Sequence, residues 1–271
     1  MPKFIQEDIT AEHLTQYLAE QDDFTLEVRT LRQLADAGCT VSHGGIYVDP
    51  TSEKPRQFDL RATITRGSRR VAFAIECKRL QPYYPLLLSR IPRTVGESFH
   101  DVLRVRRDSV PATRVDRKRE ANSVFPAGSH VGKSTTQVGR SAANLRQGSQ
   151  PEWVDGDKDV YEKWAQALSS CAELIAQYGP PTTSTDYSAV VFPILVVPDR
   201  TLWVADYDEG GRAQSVPYLV DATSLYVGRS YKLPGQAGLA MMTHLQIFTE
   251  SGLASELLVM REEPWWQLRF G

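Results

Sequence analysis

Asp59 and the tripeptide Glu76-Cys77-Lys78, with sixteen residues between them, are the side chains in this sequence best suited to chemistry. Two carboxylates can share a divalent cation, which takes oxygen ligands together with water and phosphate oxygens. A lysine beside them can hold or activate an attacking water. Residues 57–65 alternate: Phe58, Leu60, Ala62 and Ile64 fall on one face of a strand, and Gln57, Asp59, Arg61, Thr63 and Thr65 on the other. Residues 70–79 alternate as well. Gly67-Ser68 between them, glycine first, suits a two-residue type II′ turn. That turn pairs Arg66 with Arg69, sets Asp59 opposite Glu76 and sets Gln57 opposite Lys78. Directly opposed side chains have Cβ atoms roughly 4.5–5.5 Å apart. Like charges so placed repel, and a bound cation offsets the repulsion. The bland alternative is a solvated ion network that includes Arg61.

The surrounding elements must hold this hairpin against a core. Residues 9–20 read as a short helix. Residues 24–37 read as another, with Phe24, Val28, Leu31 and Ala35 on one face and Gly38 as its stop. Residues 40–48 read as a strand. Val71, Phe73, Ile75 and Cys77 form an apolar face ready to pack on a helix, while Thr63, Ala72 and Ala74 leave room on the face of the acids. Val160, Trp164, Leu168, Cys171, Leu174, Ile175 and Tyr178 repeat at helical spacing within 157–178. Residues 189–197 form a valine-rich run typical of a strand buried on both faces, and 201–207 alternate. Residues 81–149, with five prolines, read as irregular with a helix over 133–145, and 235–260 read as mostly helical.

The Asp59 and Glu76-Cys77-Lys78 pattern resembles the PD-(D/E)xK nuclease superfamily, the restriction-endonuclease-like proteins. The resemblance covers residues 24–80 best, with the helix near 157–178 and the strand near 189–197 fitting less specifically. Phe58 stands where the family's name has proline. The resemblance implies an α/β fold with a mixed β-sheet core of order α-β-β-β-α-β flanked by helices, the first acid on the second strand and E-x-K on the third. It implies that Asp59, Glu76 and the backbone carbonyl of Cys77 bind Mg²⁺, with Mn²⁺ as a substitute, and that Lys78 assists the nucleophile. It adds a glutamate from the first core helix, for which Glu27 is the candidate, its alternative being an ordinary solvated position. Gln57 and Arg61 share the face of the acids and could hold phosphate or orient Lys78.

Other signals point to a polyanionic partner. Between Arg79 and Gln150 there are thirteen basic and five acidic side chains, a balance of +8 in a chain of net charge −2. Such asymmetry suits one face for nucleic acid. Arg104, Arg106, Arg107, Lys133, Gln137 and Arg140 are the candidate backbone contacts in this basic, helical insert. Tyr83 and Tyr84 add aromatic character that could stack on bases or simply pack. The stretch AGSHVGKS at 127–134 approximates a phosphate loop, although no strand of normal length precedes it. Trp265 and Trp266 are expected to pack the C-terminus down or to form an oligomer contact. Cys39, Cys77 and Cys171 lack metal spacing and read as buried reduced thiols.

No apolar run reaches the length of a membrane span, and the first residues lack the pattern of a signal peptide, which suggests a cytoplasmic protein. The length suits a single elaborated domain over residues 1–271: a catalytic hairpin region at 1–80, the insert at 81–150, and core completion with a C-terminal extension at 151–271. The expectation is a Mg²⁺-dependent phosphodiesterase, an endonuclease acting on DNA in preference to RNA. A homodimer, and partner proteins in restriction or phage defence, follow by analogy. The rivals are a catalytically inactive nucleic-acid-binding or assembly protein on the same fold, and a phosphate-loop nucleotide binder.

Overall fold

The hairpin turns where its sequence says it should. Gly67 has a φ of 59°, the left-handed value that the first position of a type II′ turn requires and that glycine adopts without strain. Arg66 pairs with Arg69, and the antiparallel ladder runs from there to Leu60 and Ile75. The computed structural model describes residues 7–20, 22–106, 113–119, 124–141, 151–178, 186–233 and 238–271.

After a short helix α1 (Ala11–Glu20), the chain forms α2 (Phe24–Asp36), then strands β1 (Thr40–Val48), β2 (Pro55–Arg66) and β3 (Arg69–Cys77). The next stretch holds β4 (Leu86–Pro92), β5 (Phe99–Val105), β6 (Thr113–Arg119), β7 (His130–Arg140) and β8 (Trp153–Gly156). Helix α3 (Lys158–Gln177) leads to β9 (Tyr187–Val197), β10 (Leu202–Asp206), β11 (Tyr218–Leu219), β12 (Ala222–Lys232) and β13 (Leu239–Thr249), and α4 (Glu250–Val259) and α5 (Glu263–Phe270) close the chain. Thirteen strands join one mixed sheet, whose main path is β1-β2-β3-β9-β13-β12-β7-β4-β10-β11. Strand β9 is its hinge. It runs parallel to β3 along one side. On its other side, its first residues pair with β5 and its last with β13. It is buried along almost its whole length, as its uninterrupted apolar run implies.

Helices cover both faces. On one, Leu26 and Leu34 of α2, Leu253 and Leu257 of α4, and Trp265, Trp266 and Phe270 of α5 pack on Phe73, Ile75, Phe192 and Ile194. On the other, Leu168, Cys171, Leu174 and Ile175 of α3 lie on Ala72, Ala74, Ala189 and Val191. The small side chains of β3 therefore make room for α3, not for a ligand. The tryptophans pack the C-terminus down, as one of their two expected roles has it, with Trp266 only 1% exposed. All three cysteines are buried and free.

Three expectations need correction. The insert has no α-helix among its described residues: it is β4, β5, β6 and β7, with one short 3-10 turn at Val95–Glu97. Residues 133–140, read as the start of a helix, belong to β7, whose Gly132 and Gly139 are close-packing positions. A Cβ at Gly132 would stand 2.8 Å from Leu88 Cδ2, and one at Gly139 2.6 Å from the Tyr84 ring. The loop at Gly128 therefore enters a strand, which removes the helix N-terminus a phosphate loop needs. Finally, residues 239–249 are the central strand β13, and only 250–259 of the expected C-terminal helix are helical. No helix among the described residues is long and apolar enough to cross a membrane.

Candidate active site

The acids meet at the end of the hairpin, where its ladder stops. The sequence register puts Asp59 opposite Glu76, but the backbone pairing ends one step earlier, at Leu60 and Ile75. Side chains make the next rung. The Cys77 N–H donates to Asp59 Oδ2 at 2.8 Å, and the Asp59 N–H donates to Glu76 Oε1 at 3.4 Å. Each acid thus holds the other strand's backbone, and the carboxylates face each other because the backbone has opened. Lys78 lies beyond the strand. Its N–H donates to Val196 O, and Gln57 pairs with Ile46 of β1, so the expected pairing of Gln57 with Lys78 does not form as a backbone pair.

Glu76 is fully buried, and its Oε2 has no hydrogen-bond partner. Burial raises its pKa well above the ordinary 4.5, the negative charge of Asp59 raises it further, and Lys163 opposes both. Lys163 comes from the second turn of α3. Its Nζ is 2.8 Å from Asp59 Oδ2, 3.6 Å from Glu76 Oε2 and 4.0 Å from Asp23 Oδ2. Burial works to lower its pKa, but the two facing carboxylates outweigh burial and raise it, so it is a fixed cation. Lys78 Nζ stands 3.7 Å from Asp23 Oδ2, while Asp23 Oδ1 accepts from the Arg79 N–H at 2.6 Å. Asp23 precedes α2 and pins the segment after β3 to that helix.

Glu27, one turn into α2, reaches the same space. Its Oε2 is 3.0 Å from His43 Nε2. Burial raises its pKa, the His43 hydrogen bond pulls it down, and the charge of Asp59 adds to the rise. Asp59, Lys78, Lys163, Glu27, His43 and Gln57 all line one cavity of about 660 Å³ between the first turns of α2 and α3. Lys163 and Asp23 are absent from the sequence reading. Lys163 carried a usable signal: it lies three residues after Val160 and four before Ala167, both fully buried, so it sits in the apolar stripe of α3.

The donor set suits a divalent cation of the magnesium type. Mg²⁺ needs only one or two carboxylates when water and phosphate supply the rest. Asp59 and Glu76 present oxygens, one of them buried without a hydrogen bond, in a pair whose charges repel. Among the described residues no group of three or more His, Cys, Asp or Glu side chains is arranged to hold a metal, so an all-protein cage is not what these residues build.

The proposed grip is dispersed. Arg61 lies over the Phe58 ring at 4.1 Å, donates to Ser170 Oγ and pairs with Glu173 at 2.9 Å, which ties β2 to α3. Arg104 pairs with Asp116 at 2.9 Å. Lys133 pairs closely with Glu97 and covers the Tyr226 ring. Gln137 is buried and donates to Tyr84 O. Arg140 stacks over Trp153 at 5.5 Å and is exposed, as is Arg106. Arg107 lies outside the described residues. No family model, curated protein or solved structure matches the chain.

Proposed function

We propose that this protein is a metal-dependent nuclease of the PD-(D/E)xK type that hydrolyses phosphodiester bonds at Asp59, Glu76, Lys78 and Lys163. The observation that carries the reading is a fully buried carboxylate set against a second one by reciprocal backbone hydrogen bonds, with Lys163 against both acids and Lys78 lining the same cavity as Asp59. Carboxylates are not brought together this way for stability. With β4 to β8 standing between β3 and α3, the elements α2, β1, β2, β3, α3 and β9 follow one another in the sequence that the family resemblance implies, which supports the reading. A bound Mg²⁺ or Mn²⁺ would supply Lewis acidity and a water of lowered pKa. Asp59 and Glu76, with the Cys77 carbonyl, would hold it. Lys78 and Lys163 would pair with phosphate oxygens and the charge that develops on them. Glu27, its proton affinity raised by burial and its carboxylate oriented by His43, would take the proton of the attacking water. Gln57, at the cavity wall, would contact the nucleic-acid backbone. DNA as substrate, and a homodimer that cuts both strands, complete the reading.

One observation favours a second reading. Lys163 already neutralises part of the acid pair, as it would in a structural ion cluster of a non-catalytic nucleic-acid-binding protein. Plasmid and oligonucleotide cleavage with Mg²⁺ or Mn²⁺ separates the two. Wild type should cut, with Asp59→Ala and Lys78→Ala reduced at least a hundredfold; wild type that binds DNA or RNA but cuts neither selects the second.

A further inference from the structure

On the sheet face opposite the acids, a cavity of about 370 Å³ lies between β9, β12 and β13 on one side and α4 and α5 on the other. It is far larger than a packing defect and within the range of small-molecule sites. Phe73, Phe192, Phe248 and Trp265 give it aromatic walls. Its polar side is cationic. Arg93 is 5% exposed, and among the described residues no carboxylate lies within 4.0 Å of its guanidinium. It donates instead to neutral groups, Ser224 Oγ at 3.1 Å, Ser129 Oγ at 3.3 Å and His244 Nε2. Burial lowers its pKa to about 10 and that of His244 to about 2, so the ring beside it is a neutral acceptor that balances none of its charge. Three more nitrogens of lining residues, Gln246 Nε2, Arg269 Nε and His130 Nε2, are buried without a hydrogen-bond partner. The one lining carboxylate, Glu256, is already held by Arg269 and Trp265. A buried cation with no described carboxylate in ion-pair contact, on which Glu97 acts only from beyond 4.0 Å, together with unpaired buried nitrogens and aromatic rings, fits an anion with an apolar body.

We propose that this cavity binds a small organic oxyanion carried on a flat aromatic body, with the anionic group on Arg93 and the ring among Phe192, Phe248 and Trp265. The site is separate from the acid pair and does not rest on the nuclease reading.

The test uses 1-anilinonaphthalene-8-sulfonate and its neutral analogue N-phenyl-1-naphthylamine, followed by fluorescence on the full chain. The expected result is one sulfonate bound per chain, at least tenfold tighter than the amine. Arg93→Gln should weaken the sulfonate roughly tenfold or more and leave the amine unchanged. Ala222→Trp, at an exposed position on the cavity rim, should block both without disturbing the core. Displacement by adenosine 5′-monophosphate would identify a phosphate as the natural anion, and displacement by indole-3-acetate a carboxylate. Equal binding of sulfonate and amine, insensitivity to both substitutions, or displacement by neither anion overturns the proposal.

Discussion

Glu76 has no exposure to water, a second carboxylate facing it and one oxygen without a hydrogen bond. Its proton affinity in the folded chain is raised by burial and by Asp59. The folded state therefore binds a proton that the unfolded state has released above the ordinary value of 4.5, and stability falls as pH rises from there towards the folded value. Thermal denaturation in EDTA should show melting temperature declining from pH 5 to pH 8, and Glu76→Gln should flatten that decline. Lys163 acts in the opposite sense. Lys163→Met leaves the facing carboxylates without their nearest cation and should cost about 3 kcal/mol or more in chelator, measured by urea denaturation. Millimolar Mn²⁺ should recover part of that loss. At this scale the sequence showed part of the cluster. Asp59 and Glu76 are legible because a hairpin with a two-residue turn fixes which residues oppose, Lys78 follows from its place two residues after Glu76, and Glu27 enters only through the family resemblance. Lys163 and Asp23 come from helices that meet only after the sheet is assembled, and no short-range spacing links them to the hairpin.

The elements that hold the acids show why some stretches read truly and others did not. Strands β2 and β3 have two-residue alternation and α3 a helical stripe, so their types follow from the period; α2 is a helix as expected, but it buries Leu26, Thr30 and Leu34 and leaves Phe24, Val28 and Ala35 of the expected face exposed. Strand β13 is buried on both faces over most of its length, with the polar Thr243 and His244 among its buried positions, so its sequence shows no two-residue alternation to mark it as a strand. Strand β7 has glycines where Leu88 and Tyr84 press on the backbone, and glycines selected for close approach look the same in sequence as glycines of a loop. The alanines of β3 carry a stability prediction. Ala72→Leu and Ala74→Leu push into α3, which lies directly on them, and should each destabilise by about 1–3 kcal/mol with the acid pair unchanged. Helix α5 is anchored through a nearly fully buried indole, so Trp266→Ala should cost about 3–5 kcal/mol by the same denaturation measurement.

Across the whole molecule, the described part of the basic insert is a set of strands, and some of its charges are paired within the fold. Arg90 pairs with Asp206, Arg104 with Asp116, Arg117 with Asp101 and Lys133 with Glu97. The charge count along the sequence was correct, but the long-range partners that neutralise several of these arginines and Lys133 could not be read from it. These paired cations should add little to the slope of nucleic-acid affinity against salt, to which each phosphate contact contributes roughly −0.9. Lys133→Ala should leave that slope unchanged in a filter-binding titration; a change of a full unit would show that the insert grips phosphate after all. The same internal pairing makes the acid pair at the end of the hairpin stand out, as a place where the fold keeps two negative groups together against their repulsion. Calorimetric titration of Mn²⁺ into the chelator-treated wild-type chain and into Glu76→Gln tests that arrangement most directly. The account predicts one ion bound per wild-type chain and at least tenfold weaker binding to the variant; no binding to either, or equal binding to both, would contradict it.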